Sequence, residues 1–236
     1  LQPLETKSRI LDLDGDGDYI EIPGGVWFDG DLTVEAWVFV RKHSNWSRII
    51  DFGNGSGADN VLFALSIEKT GRPTFEIYSD HSGGRVDSNI VIETDSWVHL
   101  ACSLKENLGT VYMNGIEVGS KTLKLPPRNV LRKNNYIGRS NWPQYDPDTD
   151  AMLDEIRIWN VARSQEAIRA NMNQPLVGPE TGLVGYWNFD HGVAIDASGN
   201  DNHGTLYGDA SIIEADFPYS PIVTQNNIDI GSSLME

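Results

Sequence analysis

The clearest structural signal in this sequence is Thr110-Val111-Tyr112-Met113-Asn114-Gly115-Ile116-Glu117-Val118. Asn-Gly between two β runs favours a type I′ hairpin, because both turn residues need a positive φ. The flanking residues are mostly β-branched, aromatic or long apolar side chains, which are enriched in strands. The segment therefore predicts two antiparallel strands joined by a tight turn.

Similar β runs lie on both sides of this hairpin. Residues 32–40 read Leu-Thr-Val-Glu-Ala-Trp-Val-Phe-Val, and residues 9–14 alternate apolar and polar side chains over most of their length. Short runs separated by Gly, Asn, Asp and Ser are typical of a sandwich or barrel. Only Ser164 to Met172 predicts a helix, with Ser164 as its N-cap and Glu166 in its first turn.

The chain has 236 residues, the size of one large β-sandwich. We predict a lead-in over residues 1–8, a single domain over 9–217, and a tail or linker over 218–236. No apolar run reaches the roughly 20 residues that a membrane helix needs. The sequence starts without the basic and apolar regions of a signal peptide. If the domain is secreted or lies at the cell surface, as we expect, its signal peptide is not part of this sequence.

The charge of the chain narrows the range of partners. It has 34 Asp and Glu against 18 Lys and Arg, a formal net charge of −16. Such a chain repels phosphate backbones and anionic lipids, so we expect neither nucleic-acid binding nor membrane insertion. The single cysteine, Cys102, cannot form an internal disulfide and is expected to be a buried apolar side chain.

Several segments, in order along the chain, resemble those of laminin-G-like jelly-roll domains of the concanavalin A-like lectin/glucanase superfamily. These segments are residues 13–23, 32–37, 97–101, 112–115, 153–164, 185–190 and 196–205. The resemblance implies an all-β fold of two packed antiparallel sheets, one of them concave, with one short helix. Because this fold carries lectins, adhesion modules, receptor domains and enzymes, it says less about function.

The sequence lacks the carboxylate pattern of glycoside hydrolases on this fold. Those enzymes present acidic residues two apart on one strand, where both side chains share a face. Asp154 and Glu155 are adjacent and should point to opposite faces, while Asp146 and Asp148 lie in a loop that contains proline. We therefore expect a domain that is not an enzyme.

Two acidic segments are candidate metal sites. Asp14, Asp16 and Asp18, together with Asp12, resemble part of a calcium loop. An EF-hand loop that begins at Asp12 would need a bidentate acid at its twelfth position, which is Pro23. The second candidate set is Asp190, Asp196, Asn200 and Asn202. The family resemblance implies one structural Ca²⁺ that fastens loops. The alternative for the first segment is a simple Asp- and Gly-rich turn.

Two loops carry Asn-Trp near an arginine, and loop aromatics often form sugar-binding surfaces. The predicted ligand-binding residues are Asn45, Trp46, Arg48, Arg139, Trp142 and Tyr145, with Tyr78, Asp80 and His81 as weaker additions. The alternative is that Trp46 and Trp142 fold back and cover the ends of the sandwich.

Together these features predict a non-catalytic, lectin-like carbohydrate-binding module of a secreted or cell-surface protein. Its expected partners are a polysaccharide or other glycan, and other domains of the same parent protein. Two alternatives stay open: a protein–protein or adhesion module without a glycan site, and a polysaccharide-degrading enzyme domain. Convergent acids in a cleft would favour the enzyme, and a flat surface without an aromatic groove would favour the adhesion module.

Overall fold

A computed structural model describes residues 7–79 and 82–218 of the chain. The described strands are β1 (Lys7–Asp14), β2 (Tyr19–Ile22), β3 (Leu32–Val40), β4 (Arg48–Gly53), β5 (Val61–Ala64), β6 (Thr74–Ser79), β7 (Ser82–Asp87), β8 (Trp97–Lys105), β9 (Leu108–Met113), β10 (Ile116–Thr122), β11 (Asn134–Ile137), β12 (Asp150–Trp159), β13 (Leu183–Trp187), β14 (Thr205–Tyr207) and β15 (Ser211–Asp216). One helix, α1 (Gln165–Asn171), follows β12.

The strands form two antiparallel sheets. The first sheet has the order β10-β9-β8-β3-β12-β1-β15, with β13 also paired to β12. The second has the order β14-β2-β11-β4-β5-β6-β7. Each sheet combines strands that are consecutive in the chain, such as β4, β5 and β6, with neighbours that are distant in sequence, such as β1 and β15 or β2 and β11. The predicted all-β sandwich with one short helix is confirmed.

The first strand begins earlier than the sequence pattern suggested. Lys7 pairs with Asp216 and Ser8 with Ala215, so both residues belong to the first sheet rather than to the lead-in. Neither side chain is apolar, which is why alternation alone gave a later start. Residues 1–6 and almost all of the predicted tail, 219–236, lie outside the described residues.

The Asn114-Gly115 hairpin is confirmed. Asn114 has a φ of 51° and Gly115 a φ of 69°, and the turn joins β9 to β10. The Asn114 side chain also accepts a hydrogen bond of 3.0 Å from the backbone N–H of His99 on β8, which fastens the turn to the next strand. A register shift between Glu117 and Gly119 then bends β10.

The main core lies between the two sheets. Side chains alternate across a strand, so each strand sends one set of residues into this core. In the second sheet, Ile50 pairs with Phe63 and Phe63 with Phe75, and all three are fully buried in the core. Cys102, on β8 of the first sheet, is buried there as expected.

The helix packs on the outer face of the first sheet. The Ser164 side chain accepts a hydrogen bond of 3.2 Å from the Ala167 N–H, which confirms the predicted N-cap. Ile168 is buried against Ala101 and Tyr112 of the sheet. No helix among the described residues combines the length and apolar character needed to cross a bilayer.

A buried polar network lies on the same outer face. Glu35 accepts a hydrogen bond of 2.9 Å from the Trp159 indole N–H, and its other carboxylate oxygen lies 3.6 Å from His99 Nε2. Arg157 forms an ion pair with Glu155 and lies 3.9 Å from Glu35. Burial, followed by the nearby Arg157 charge, lowers the pKa of His99 to about 3, so this histidine is neutral.

Candidate functional site: an aromatic cleft on the second sheet

The outer face of the second sheet carries a row of mostly polar side chains. Asp51 on β4 pairs with Leu62 on β5, Leu62 with Glu76 on β6, and Glu76 with Arg85 on β7. These residues alternate with the core-facing ones, so they point away from the main core. Asp51, Leu62 and Glu76 are nevertheless buried, because loops cover part of this face.

Those loops leave a cleft of about 200 Å³ above the middle of the sheet. Its lining residues are Trp46, Arg48, Leu62, Glu76, Tyr78, Trp142 and Asp146. The two loops that carry Trp46 and Trp142 are far apart in sequence. They meet here because β11, which precedes Trp142, pairs directly with β4, which follows Trp46.

Arg48 holds the base of the cleft. Its Nη2 atom lies 3.0 Å from the carboxylate of Asp146 and donates a hydrogen bond to the Ser140 hydroxyl at 3.2 Å. Its Nη1 atom donates to the Trp46 carbonyl at 2.7 Å, and its Nε atom lies 3.4 Å from Asp51. Because its side chain is only 2% exposed, the guanidinium is fixed in one position.

Aromatic rings form the walls of the cleft. The Arg48 guanidinium carbon lies 5.2 Å from the Trp46 ring centroid and 5.8 Å from that of Trp142, within cation–π range. The Trp142 and Tyr78 rings are 5.4 Å apart. Trp46 has a φ of 56°, a conformation that bulky residues rarely adopt and that is often retained at functional sites.

Asp51 fastens the Trp142 loop to the sheet. Its carboxylate accepts hydrogen bonds from the Asn141 backbone N–H at 2.9 Å and from the Asn141 side chain at 3.0 Å. The Asn60 side chain donates a third bond at 2.9 Å. Because these partners are buried, the loop has a defined position above the sheet.

The two carboxyl groups that line the cleft have raised pKa values. For Glu76 the main cause is burial, partly opposed by the charges of Arg85 and Arg48. For Asp146 burial again raises the pKa, and the Arg48 charge opposes it. The cleft thus holds two desolvated acids beside cationic groups, an arrangement that is frequent at functional sites.

The structure brings together half of the predicted ligand-binding residues. Trp46, Arg48 and Trp142 line the cleft, and so does Tyr78, one of the weaker additions. The prediction that both tryptophans lie in loops is therefore met, and their rings border the cleft rather than the sandwich ends. Asp80 and His81 lie outside the described residues.

The other three predicted ligand residues do not line the cleft. Arg139 points the other way, with its guanidinium 4.3 Å from the Tyr19 ring centroid. The Asn45 side chain accepts a hydrogen bond of 2.7 Å from the Glu68 N–H, so it braces a turn. Tyr145 is 76% exposed and stands outside the aromatic walls.

The first predicted metal segment folds as a compact turn. Asp18 is buried and accepts hydrogen bonds from the N–H groups of Asp14 and Gly15, at 2.6 and 3.2 Å. Within the described part of the chain, Asp14, Asp18 and Asp209 form the one acidic group whose ligand atoms lie within 4.8 Å of one another. Asp16 is not in this group, and Asp209 was not predicted.

The donor chemistry of that group fits a hard cation. Carboxylate oxygens suit Ca²⁺, which takes six to eight oxygen ligands. Three carboxylates would supply part of such a shell, and backbone carbonyls or water would complete it.

The second predicted metal segment is a hydrogen-bonded loop. Asp196 accepts bonds from the backbone N–H groups of Tyr186, Ser198 and Asn202, at 2.9, 2.9 and 3.0 Å. The side-chain amides of Asn200 and Asn202 donate to backbone carbonyls of β13, and Asp190 accepts from Asn188. The described contacts of Asp196 therefore give it a structural role that needs no ion.

Sequence reasoning missed two contributors to the cleft. Glu76 and Leu62 are alternate residues of short strands, and nothing in the sequence distinguishes their outward positions from other strand positions. Asp146 was considered as a catalytic acid and set aside because it lies, with Asp148, in a loop that contains proline. Asp146 and Glu76 line the same cleft for two reasons. The strand order β4-β5-β6 places Glu76 near Arg48, and Asp51 holds the loop that carries Asp146 above the sheet.

The comparisons with known proteins agree with this architecture. The family model Laminin_G_3, described as the concanavalin A-like lectin/glucanases superfamily, matches residues 14–169. No curated protein sequence matches the chain significantly.

Several solved structures share the fold. A protein from Bacteroides ovatus ATCC 8483 named as a "putative carbohydrate binding protein" has 20% identity and a TM-score of 0.69 over 92% of this chain and 62% of its own. Domain 4 of AbnA, a GH43 extracellular arabinanase from Geobacillus stearothermophilus, solved with arabinotriose, has 22% identity and a TM-score of 0.56. That match covers 70% of this chain and 80% of the domain. A heptameric SAP-like pentraxin from Limulus polyphemus has 12% identity and a TM-score of 0.54, and the match covers 89% of this chain and 93% of the pentraxin chain.

Proposed function

This chain belongs to the Laminin_G_3 family of the concanavalin A-like lectin/glucanases superfamily, and we propose that it is a non-catalytic carbohydrate-binding module. The single observation that carries the proposal is the cleft in which Trp46, Tyr78 and Trp142 surround the buried Arg48. Aromatic rings stack on the C–H faces of sugars, and the polar groups between them orient hydroxyl groups.

The cleft is suited to one sugar unit at a time. Its volume of about 200 Å³ is below the roughly 300–1,000 Å³ of pockets for drug-sized ligands. Polar atoms of Arg48, Glu76 and Asp146 converge on it, and ion pairs and hydrogen bonds hold Arg48 and Asp146 in place. A preorganised site of this kind loses little entropy when it binds.

The structural neighbours support this reading. The Bacteroides ovatus protein is named for carbohydrate binding, and the arabinanase domain was solved with arabinotriose. This chain spans 62% of the length of the Bacteroides ovatus protein. We propose that the chain is one domain of a secreted or cell-surface protein and that its ligand is a glycan; the extracellular location named for the arabinanase supports this proposal.

One structural Ca²⁺ is a further part of the proposal. Asp14, Asp18 and Asp209 would hold it, because their carboxylates already lie together. The ion would link the turn after β1 to the turn after β14, and so would fasten loops without contributing to sugar binding.

A glycan array, probed with the wild-type chain in Ca²⁺ and in a chelator, tests the binding function. We expect saturable binding to at least one polysaccharide and its loss in Trp46→Ala/Trp142→Ala. Tyr145→Ala is the matched control, because Tyr145 belongs to the same loop as Trp142 but lies outside the cleft. Binding that survives in the double variant would reject this site, once thermal unfolding shows that both variants are folded.

The pair Glu76 and Asp146 favours a second candidate, a glycoside hydrolase. Such an enzyme uses two carboxyl groups in one cleft, one as acid and one as nucleophile or base. Burial raises the pKa of both Glu76 and Asp146, which suits the role of the acid, because the acid must hold a proton. Release of reducing sugar from a polysaccharide by wild type, abolished in Glu76→Gln, would establish the enzyme. If a broad polysaccharide panel shows no turnover, the binding module stands.

A further inference from the structure

A second, larger cavity lies beside the aromatic cleft. It has a volume of about 380 Å³ and lies where β7, the edge of the second sheet, meets the end of β10 from the first sheet. Its lining residues are Glu76, Gly83, Gly84, Arg85, Lys121, Thr122, Leu123 and Lys124. Glu76 borders both cavities, so the two are neighbours on one surface.

Two glycines keep this cavity open. A Cβ atom on Gly83 would meet the Tyr78 ring at 3.0 Å and the Glu76 carboxylate at 3.2 Å. On Gly84 it would stand 3.5 Å from the backbone nitrogen of Lys124, in ordinary contact. The β7 wall therefore consists largely of backbone, which a flat or extended ligand can approach closely.

The charge of the cavity is opposite to that of the whole chain. Three of its lining residues are cationic, Arg85, Lys121 and Lys124, whereas the chain carries a net charge of −16. Lys121 and Lys124 are exposed, and neither forms an ion pair with any residue that the structure describes. Arg85 lies 3.3 Å from Asp87 but remains partly exposed.

Among the described lining residues Glu76 is acidic; it lies opposite Arg85 in the pairing of β6 with β7 and offsets one of the three positive charges. It is buried on the side shared with the aromatic cleft, and burial raises the pKa of its carboxyl group. A cavity with an excess of positive charge concentrates ligands of the opposite sign, here anions.

We infer that this cavity is a second subsite, which binds the anionic substituent of an acidic glycan whose neighbouring sugar occupies the aromatic cleft. The inference rests on the proposed function and names its ligand class: a polysaccharide that carries carboxylate or sulfate groups. The Arg85 guanidinium links the subsites, because it lines the cavity and lies 5.6 Å from the Trp46 ring centroid. Adjacent strands are about 4.8 Å apart, so β6 and β7 place the two subsites side by side.

Matched pairs of acidic and neutral glycans test the inference on the full chain. The probes are polygalacturonate with its methyl ester, for carboxylates, and dextran sulfate with dextran, for sulfates. The wild-type chain should bind at least one acidic member more tightly than its neutral partner. Lys121→Gln/Lys124→Gln should weaken that binding about fivefold or more in dilute buffer and leave neutral binding unchanged. The difference in affinity between wild type and this variant should vanish in about 1 M salt, where the Debye length is about 3 Å.

A charge-matched variant separates this site from general electrostatics. Lys7→Gln/Lys133→Gln removes two exposed lysines, on β1 and beside β11, which lie five strands from β10 and four strands from β7 in their sheets, and should leave all affinities unchanged. Equal loss in both lysine variants would overturn the inference. Three further results would also overturn it: wild type binds the neutral glycans more tightly than the acidic ones, wild type binds none of the probes, or wild type binds inorganic polyphosphate as tightly as it binds the acidic glycans.

The two proposals fail in distinguishable ways. If Trp46→Ala/Trp142→Ala loses every glycan while Lys121→Gln/Lys124→Gln binds acidic and neutral members like wild type, only the second subsite is wrong. If the tryptophan variant binds all glycans like wild type, the aromatic cleft is wrong as the primary site.

Discussion

At the scale of single residues, Arg48 determines the shape of the aromatic cleft. It is nearly fully buried and contacts both covering loops, through the Trp46 carbonyl and the Asp146 carboxylate. A buried charge persists only where its partners satisfy it, and a buried ion pair adds little net stability by itself. We infer that Arg48 serves to position the two loops that border the cleft, rather than to stabilise the core.

Replacing Arg48 alone should nevertheless destabilise the fold strongly, because its buried partners stay behind without it. Arg48→Met leaves Asp51 and Asp146 without their counter-ion, so we expect a loss of about 3–5 kcal/mol in the free energy of unfolding. Urea unfolding measures it, with Lys42→Met as an exposed control that should change it by less than about 0.5 kcal/mol. A loss below about 1 kcal/mol for Arg48→Met would contradict the described network.

His99 should make stability depend on pH. Burial lowers its pKa to about 3 from 6.5, so its contribution is fully present above pH 6.5 and is lost as the pH falls toward the folded value. We compare the unfolding free energies of wild type and His99→Gln from about pH 7 to about pH 5. Below pH 6.5 their difference should shift against wild type by about 1.4 kcal/mol per pH unit. A constant difference would mean that His99 is not buried as a neutral side chain.

At the scale of elements, the closure of the sandwich depends on β10 passing close to β7. A Cβ on Gly119 would overlap the carbonyl oxygen of Asp87 at the end of β7. The register shift between Glu117 and Gly119 brings the backbone into this position. The close approach of β10 to β7 also forms the edge of the larger cavity that Arg85, Lys121 and Lys124 line.

Gly119→Ala should separate these two strands. Because the new methyl group meets backbone rather than a flexible side chain, we expect a destabilisation of about 1–3 kcal/mol. Gly84→Ala is the matched control, since its Cβ would be in ordinary contact at 3.5 Å or more and should change stability by less than about 0.5 kcal/mol. Equal unfolding midpoints for the two variants in urea would contradict this packing.

The secondary-structure elements were also the features that could best be predicted from the sequence. The hairpin at Asn114 and Gly115 was predictable because I′ turns restrict the residue types that fit, and the α1 N-cap because Ser164 satisfies a free N–H. The start of β1 at Lys7 was not, because Lys7 and Ser8 carry no apolar side chain. Their strand pairing depends on β15, about 200 residues later in the chain.

At the scale of the whole molecule, the site depends on strand order. Trp46 and Trp142 attracted notice as loop aromatics, but their meeting depends on the pairing of β4 with β11. Glu76 joins them only because β5 pairs with β4 on one side and with β6 on the other. Such long-range neighbours leave no local pattern, so the sequence indicated candidate loops without showing which side chains converge.

A bound Ca²⁺ should stabilise the whole molecule. Ligand that binds only the folded state raises the unfolding free energy by about 2.7 kcal/mol at 100 times its dissociation constant. We expect the melting temperature to rise with Ca²⁺ in wild type and in Asp16→Asn, but not in Asp209→Asn, because Asp209 belongs to the acidic group and Asp16 does not. Identical melting curves in Ca²⁺ and in a chelator would reject the metal.

The central claim is that a sugar occupies the aromatic cleft of the second sheet. The most direct test is a crystal structure of the chain in complex with an oligosaccharide. The oligosaccharide should come from a polysaccharide that the chain binds on the glycan array. We expect a sugar ring between Trp46 and Trp142, with hydroxyl groups within hydrogen-bond distance of Arg48, Glu76 or Asp146. An oligosaccharide bound elsewhere while the cleft holds only water would contradict it.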